Sequence, residues 1–573
     1  MNADLPPLVT VVIPVFNVGD LVARAIRSLQ AQDLPDFEAI VVDDGSTDGS
    51  GAMAQAAFAG DSRFRLIRQE NRGLSAARNR GIAQARGTAL AFLDADDEYA
   101  PAFLGQLWQA MQRDGTDWAA CGIVLCYPDG HTVAHSALHA QPQAGPARVL
   151  DLGDARVTAG VFPSAWNKLY RRAAFGDLRF PEGAWFEDHE VFWAMARRAP
   201  RLSYVPAPLY RHWRQRDGQI TGTDSERVFD QVAVLERLHP VVLSMDHGNE
   251  GFDRLASRLV HERALVLRDP QRRARFFAAM RDLFNRLGAT WSPAWDPEIL
   301  PSLGPLMAGD LPLSIVRLGP GDPPAPQTLP DLEVVHAPDA PTPAALAARL
   351  QGRYVLMLAR GEGLLPDGAM RLVALAETMG TALAFGGVER QHRGYHDGWS
   401  DNTVAPDLAS LPVSGGRVAL GPEQALRLHP VLANRIVARD LLARLPGALR
   451  LDGGAASSQA LVLAAALAAG SAGYTRVPVA TAADLPGPVP PLRALARWAR
   501  ALPHPDAGPL LPRGWRGTMF LRLARFRGGA LTWAGALGLA AFNGWLCPDP
   551  GARPDPESPR WLRRIVRLCS RIR

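Results

Sequence analysis

Short apolar runs that end on carboxylates set the plan of the chain. Glu38-Ala39-Ile40-Val41-Val42 leads into Asp43-Asp44-Gly45-Ser46, and Ala89-Leu90-Ala91-Phe92-Leu93 leads into Asp94-Ala95-Asp96-Asp97. A short apolar run bounded by turn residues predicts a strand covered on both faces. Open parallel sheets bind ligands just beyond the carboxyl ends of their strands, so both acidic clusters are expected to face one crevice. Carboxylates crowded there repel one another unless a divalent cation neutralises them, and Asp-X-Asp offers hard oxygen ligands two residues apart. A metal-bound diphosphate would complete such a site.

The pattern changes along the chain. Apolar residues at three- and four-residue spacing predict helices over Ser225 to Leu243 and Gly251 to Leu287. A Pro/Gly-rich joint, Gly319-Pro320-Gly321-Asp322-Pro323-Pro324, opens a second α/β stretch to about 480, with candidate strands near Ile315 and Val335. Repeats are sought before a region is taken as new. At a constant offset of 265, Gly87 to Gly122 meets Gly352 to Gly387 with eight identities. Further on, Ala165-Trp166-Asn167-Lys168-Leu169 meets Leu432-Ala433-Asn434-Arg435-Ile436, and Glu187-Asp188 meets Ser458-Gln459 after a four-residue insertion. Asp94 and Asp96 fall on Ala359 and Gly361, so the acids are absent from the second stretch.

Composition narrows the picture. The 573 residues, 47% hydrophobic and 21% charged, suit several globular domains rather than a disordered chain. Cys121, Cys126, Cys547 and Cys569 form no CxxC pair, and no secretory signal precedes Val9, so a reducing, cytoplasmic location is expected. Of 62 basic residues, Lys168 alone is lysine. From Pro491 to Arg573, 15 arginines stand against four acids, a net +11, whereas the whole chain is +5. The apolar stretch Ala530 to Cys547 inside this tail is 18 residues long but rich in Gly and Ala and holds Asn543, marginal for a membrane span. A basic, tryptophan-bearing amphipathic segment on the anionic inner face of the plasma membrane is expected, with a packed helical hairpin as the alternative. A nucleotidyltransferase should carry a Gly-rich loop after its first strand, which Pro14-Val15-Phe16-Asn17 is not, and no nucleic-acid partner is expected.

Four motifs in order carry a resemblance. They are Val9-Thr10-Val11-Val12-Ile13-Pro14-Val15-Phe16-Asn17, Val42-Asp43-Asp44-Gly45-Ser46-Thr47-Asp48-Gly49-Ser50, Asn71-Arg72-Gly73-Leu74-Ser75-Ala76-Ala77-Arg78-Asn79-Arg80-Gly81 and Asp94-Ala95-Asp96. Ser164-Ala165-Trp166-Asn167-Lys168-Leu169-Tyr170, Glu187-Asp188 and Pro208-Leu209-Tyr210 extend it, so that residues 8 to about 222 resemble family 2 glycosyltransferases. The resemblance implies a GT-A fold, an α/β Rossmann-like domain that transfers a sugar from a nucleotide diphosphate sugar, here UDP-linked, to an acceptor hydroxyl. It places this chain in cell-surface polysaccharide or glycolipid synthesis, with a saccharide or lipid-linked acceptor.

The resemblance also implies roles. Asp188 becomes the base that takes the acceptor proton, so that a single displacement inverts the anomeric centre. Asp96, helped by Asp94, becomes the ligand of Mn2+ or Mg2+, and His212 can complete that shell. Asp44 should accept from the nucleotide base with Arg78 nearby, Pro14 lines the same donor site, and Arg214 or Arg216 can clamp the diphosphate. Lys168 can pair with the donor phosphate or with Asp188. Glu187 and Asp188 also suit the N-terminus of a helix over about 189 to 198. The expected domains are therefore 1–225, GT-A; 226–308, helical extension; 309–485, a degenerate GT-A-like α/β domain; and 486–573, the basic tail. A non-catalytic nucleotide-sugar-binding scaffold is the alternative, weakened by the presence of Asp44, Asp94, Asp96 and Asp188.

Overall fold

A computed structural model of the protein describes residues 6–483 apart from 141–144, 215–223, 320–323, 393–394, 400–414, 421–427, 429–430 and 448. The basic tail, Arg216, Cys547 and Cys569 lie outside the described residues. Two compact units divide at Leu300 and Pro301.

The first unit is built on strands whose side chains are buried throughout. β1 (Val9–Val15) and β2 (Phe37–Asp43) have every residue buried, as mainly apolar strands at the centre of a sheet do, with Thr10, Glu38 and Asp43 the buried polar exceptions. With β3 (Phe64–Arg68) and β4 (Ala89–Phe92) they form a parallel set in the order β3-β2-β1-β4. Helices α1 (Leu21–Gln30), α2 (Ser50–Ala57) and α3 (Leu74–Ala83) link them. α1 buries Val22, Ala25, Ile26 and Leu29, the spacing of one helical face. After β5 (Glu98–Tyr99) and α4 (Phe103–Asp114), the sheet continues through β6 (Trp118–Cys126), β7 (Thr132–His135), β8 (Arg148–Asp151), β9 (Lys168–Arg171) and β10 (Arg201–Trp213). The full order is β3-β2-β1-β4-β9-β6-β10-β5, with β7 on β6 and β8 on β10. α5 (Asp188–Arg198) precedes β10.

A polar clip joins the starts of the central strands. Thr10 Oγ1 donates to Glu38 Oε1 at 2.7 Å and accepts from Gly87 N at 2.8 Å, while Arg86 N donates to the same carboxylate at 2.7 Å. Gly87 is required because a Cβ would lie 2.5 Å from the Thr10 backbone nitrogen.

Three helices complete this unit: α6 (Asp230–Leu243), α7 (Gly248–Val266) and α8 (Pro270–Leu287). The helix expected without a break from Gly251 to Leu287 is in fact two. Pro270 has no N–H to continue α7, and Asp269 caps the new helix by accepting from Arg272 N.

The second unit repeats the sheet. Its strands are β11 (Leu311–Arg317), β12 (Leu332–His336), β13 (Gly352–Leu358), β14 (Glu362–Leu364), β15 (Leu383–His392), β16 (Tyr395–Trp399), β17 (Gly416–Ala419), β18 (Arg435–Ala438) and β19 (Ser471–Ala483). They run β12-β11-β13-β18-β15-β19-β14, with β16 on β15 and β17 on β19. Removing β3 from the first sheet leaves the same order. α9 (Pro343–Ala347), α10 (Gly368–Met379) and α11 (Ala455–Ala469) pack with it. No helix among the described residues is long and apolar enough to cross a membrane.

Candidate active site

The parallel strands β2, β1 and β4 bring their carboxyl ends to one edge. Asp44 follows β2 and Asp94 follows β4 by two residues, so the two acidic clusters reach the same edge of the sheet. Their environments differ.

Asp44 is buried, and its carboxylate accepts from Gln69 Nε2 at 2.7 Å, Arg72 N at 2.9 Å and Gly73 N at 2.8 Å. Three of its roughly four acceptor positions are filled by the segment leading into α3. Gly73 has φ 88° and ψ 167°, a conformation open to glycine, and that turn aims its N–H at Asp44. Asp43 accepts from Ser46 N at 3.0 Å and stabilises the turn before α2. Pro14 is buried within β1 opposite Val42.

Arg78 is the centre of the second cluster. Its side chain is 1% exposed and donates from Nη1 to Glu187 at 2.7 Å and to Asp188 at 2.8 Å, and from Nη2 to Asp94 at 3.0 Å. It was expected beside the nucleotide base with Asp44. In the structure it is bonded to the three acids, because it is buried on α3 within reach of the end of β4 and the start of α5. Burial opposes its charge, yet Asp188, Asp94 and Glu187 together hold its pKa above the ordinary arginine value.

Asp188 is the first residue of α5, and its other oxygen accepts from Ala165 N at 3.1 Å. Glu187, at the cap position, makes no side-chain capping bond. Burial and the charge of Asp188 push Glu187 up to about 7 against the pull of Arg78. Burial likewise pushes Asp94 up to about 6; Arg78 opposes, while Asp97, Asp96 and Asp188 add to the rise.

Asp97 is buried and accepts from Tyr210 Oη at 2.8 Å, from Trp213 N at 2.9 Å and meets His212 Nδ1 at 3.0 Å. Burial lowers the His212 pKa, but Asp97 more than offsets it, and the net direction is upward. The ring of His212 stacks on Trp166, centroid to centroid 5.1 Å, and Trp166 stacks on Tyr210 at 4.2 Å. The Asp96 carbonyl accepts from Arg24 Nη2 at 2.8 Å, and the Arg24 guanidinium lies 4.1 Å from the Trp213 ring centroid. β10 therefore ties the Asp94-to-Asp97 turn to the sheet.

Lys168, expected to pair with the donor phosphate or with Asp188, makes its hydrogen bonds to a loop instead of to the Asp188 carboxylate. It is fully buried, and Nζ donates to Phe162 O at 2.7 Å, Ser164 O at 2.6 Å and Asn167 Oδ1 at 2.8 Å. Burial pushes its pKa down to about 7, with Asp188 and Cys121 opposing. Three acceptors match the three N–H donors of an ammonium, so the cradle holds the protonated form and shapes the loop that donates Ala165 N to Asp188. Arg214 is anchored through its backbone N to Cys126 O at 2.9 Å.

Carboxylates of the kind that bind divalent cations gather at this edge. Asp94, Asp96, Asp97, Glu187 and Asp188 lie around one guanidinium and one histidine; burial is the main cause of the raised Asp94 and Glu187 values, and the neighbouring acids add to it. Asp94, Asp96 and His212 do not converge as a tight ligand trio, and His212 Nδ1 is turned to Asp97. Among the described residues, the group whose ligand atoms lie within 4.8 Å of one another is His139, Asp296 and Glu298, which the sequence reading missed. Arg258 Nη1 already binds Asp296 at 2.7 Å and Glu298 at 2.8 Å, and burial lowers the His139 pKa to about 4.

Comparison with known proteins places this geometry. Residues 10–179 match the family model described as glycosyl transferase family 2. The uncharacterized glycosyltransferase EpsJ of Bacillus subtilis (strain 168) is 35% identical over 208 residues, 36% of this chain and 60% of EpsJ. EpsH of the same organism, a provisionally named glycosyltransferase, is 30% identical over 260 residues, 43% of this chain and 72% of EpsH. The succinoglycan biosynthesis protein ExoU of Rhizobium meliloti (strain 1021) is 39% identical over 140 residues, 24% of this chain and 40% of ExoU. All of the matched residues of the family model fall in the first unit, on the mixed sheet expected of a GT-A fold. The chain belongs to glycosyltransferase family 2.

Proposed function

We propose that the first unit is a metal-dependent, inverting transferase that moves a sugar from a nucleotide diphosphate sugar, UDP-linked, to an acceptor hydroxyl. The observation that carries this reading is the Arg78 network, in which one buried guanidinium holds both the acid at the end of β4 and the carboxylate at the start of α5. Asp188 takes the acceptor proton as the hydroxyl attacks, since its second oxygen is already oriented by Ala165 N and Arg78 holds the first. Asp94 and Asp96 would hold Mn2+ or Mg2+, with His212 at the edge of the shell; when bound, the cation supplies counter-charge for the departing diphosphate. Arg214, at the end of β10, supplies a forked donor to the diphosphate. Asp44 and Pro14 belong to the nucleotide side, with Asp44 holding the Gln69 to Gly73 segment that shapes it. With one base and no nucleophilic side chain needed, transfer is a single displacement.

The succinoglycan name of ExoU supports a role in surface polysaccharide or glycolipid synthesis, with a saccharide or lipid-linked acceptor. The +11 tail from 491 would hold the enzyme at the inner, anionic face of the plasma membrane, where such an acceptor is concentrated.

Donor hydrolysis without acceptor, measured across UDP-, GDP- and dTDP-sugars, should require divalent metal and be abolished in Asp96→Ala. Full activity in excess chelator would remove the metal from the reading. Asp188→Asn should keep donor affinity yet slow transfer roughly 100-fold, the scale of general-base loss. Near-normal turnover would reduce Asp188 to a helix-end acid.

The acids also set a pH dependence of stability. Glu187 keeps its proton to about pH 7 in the folded state but only to about 4.5 when unfolded. Between those values the folded state binds more protons, so stability falls as pH rises across that window. Glu187→Gln should flatten this fall in thermal unfolding measured from pH 4.5 to 7.5; a variant curve parallel to wild type would show that Glu187 carries no such penalty. For the tail, deletion of 491–573 should release the protein from anionic vesicles, and wild-type binding should weaken with salt. Wild type that ignores such vesicles at low salt would favour the packed hairpin.

A further inference from the structure

The two sheets agree in far more than strand order. In the first, Ala119 pairs Ser203, Ala120 pairs Tyr204, and the register slips at Pro208 opposite Gly122 before Ile123 meets Tyr210. In the second, Ala384 pairs Gly473, Phe385 pairs Tyr474, and the register slips at Pro478 opposite Gly387 before Val388 meets Ala480. Each partner is displaced by the same 265 or 270 positions. Tyr170, paired with Leu90 and Trp118, has its counterpart in Val437, paired with Val355 and Leu383.

The hydrogen-bonded clips match as well. Ser314 Oγ donates to Glu333 and accepts from Gly352 N at 2.8 Å, and Gln351 N donates to Glu333 at 2.9 Å, repeating Thr10, Glu38, Gly87 and Arg86. Asn434 Nδ2 donates to Gly386 O at 2.8 Å as Asn167 Nδ2 donates to Cys121 O at 2.8 Å. Arg435 Nε donates to Val431 O and Asn434 Oδ1, both at 3.0 Å, where Lys168 Nζ meets Ser164 O and Asn167 Oδ1. General preferences of α/β folds can supply a strand order, but not matched registers together with three matched side-chain clips.

The site itself is changed. Ala359 and Gly361 stand at the positions of Asp94 and Asp96, and Gly361 has φ 78°, where a carboxylate residue would be strained. Ser458 and Gln459 stand near the start of α11 where Glu187 and Asp188 stand in the first unit, and the 265 offset puts Pro343 at the place of Arg78. Glu362, at the position of Asp97, has turned into the vacated place. Its carboxylate accepts from Ala359 N at 3.0 Å, Leu432 N at 3.0 Å and Ala433 N at 3.1 Å. Leu432 is the counterpart of Ala165, whose N–H serves Asp188 in the first unit.

We infer that the second unit is an internal copy of the transferase fold in which Glu362 closes the former active site, leaving one metal-nucleotide site per chain. The count of one rests on the donor reading of the first unit; the copy itself does not. Titration of the full-length protein with Mn2+ and UDP, followed by calorimetry and by the electron paramagnetic resonance of free Mn2+, should give one site, lost in Asp96→Ala. Two sites, or a site that survives Asp96→Ala, would overturn the closure.

Asn434→Ala tests the copy without any donor. Like Asn167→Ala, it leaves a buried carbonyl without its donor and should lower the unfolding temperature by about 3 °C or more, with hydrogen exchange accelerated in β15 and β18 as Asn167→Ala accelerates it in β6 and β9. If Asn434→Ala leaves both measurements unchanged, the matched clips are coincidental and the copy falls. Wild type that binds no Mn2+-UDP would sink the donor reading of the first unit, while the Asn434 comparison would still decide the copy.

Discussion

One buried guanidinium organises the catalytic edge. Arg78 sits where a cation is expensive to bury, and only the three carboxylates around it make that burial tolerable. The arrangement works in both directions. Asp94 arrives from β4, whereas Glu187 and Asp188 arrive at the start of α5 more than 90 residues later, and no other described side chain hydrogen-bonds both groups. The separation of Asp94 from Glu187 and Asp188 is thus set by the span of a single planar side chain. Lysine could not bridge three acids with the same geometry, because its ammonium is a point charge and lacks the fork.

Charge balance explains why such a site is tolerated only where chemistry needs it. Arg78 neutralises one unit of negative charge, and Asp94, Asp96, Asp97, Glu187 and Asp188 supply more than His212 and Arg78 can offset. Burial moves Asp94 up to about 6 and Glu187 up to about 7, and the neighbouring acids add to the rise. A divalent cation would remove that surplus, so the same feature that weakens the unit in isolation favours it when a metal and its diphosphate are present.

Much of the frame was legible in the sequence because it depends on local pattern. Buried strands announce themselves as apolar runs, and carboxylates at their ends mark the edge at which they gather. The offset of 265 between Gly87 to Gly122 and Gly352 to Gly387 marks the strands of the second sheet in the sequence itself. Side-chain partners were less legible. Arg78 lies 109 and 110 residues from Glu187 and Asp188, and nothing in the sequence around it distinguishes an inward-facing arginine from one beside a nucleotide. Lys168 stood out as the lone lysine, which suggested chemistry, yet its three acceptors are loop carbonyls and an amide. Backbone acceptors leave no trace in composition or spacing. The break at Pro270 was readable but was passed over in favour of an unbroken apolar period.

The comparison of the two units separates what the fold requires from what the reaction requires. Ser314 with Glu333, Asn434 with Gly386 and Arg435 with its two acceptors are kept, because each satisfies buried polar groups that would otherwise be stranded when the strands pair. Ala359 and Gly361 stand where the first unit has Asp94 and Asp96, and acids there without a ligand would add repulsion and desolvation with no gain to the fold. Their removal alone would leave the Leu432 and Ala433 N–H groups facing a vacated crevice. Glu362 satisfies both, along with Ala359 N, from a position that in the first unit anchors β10 through Tyr210 and Trp213. A carboxylate longer by one methylene than Asp97 can reach across to those amides, and Leu432 N, which it engages, is the counterpart of the Ala165 N that binds Asp188 in the first unit.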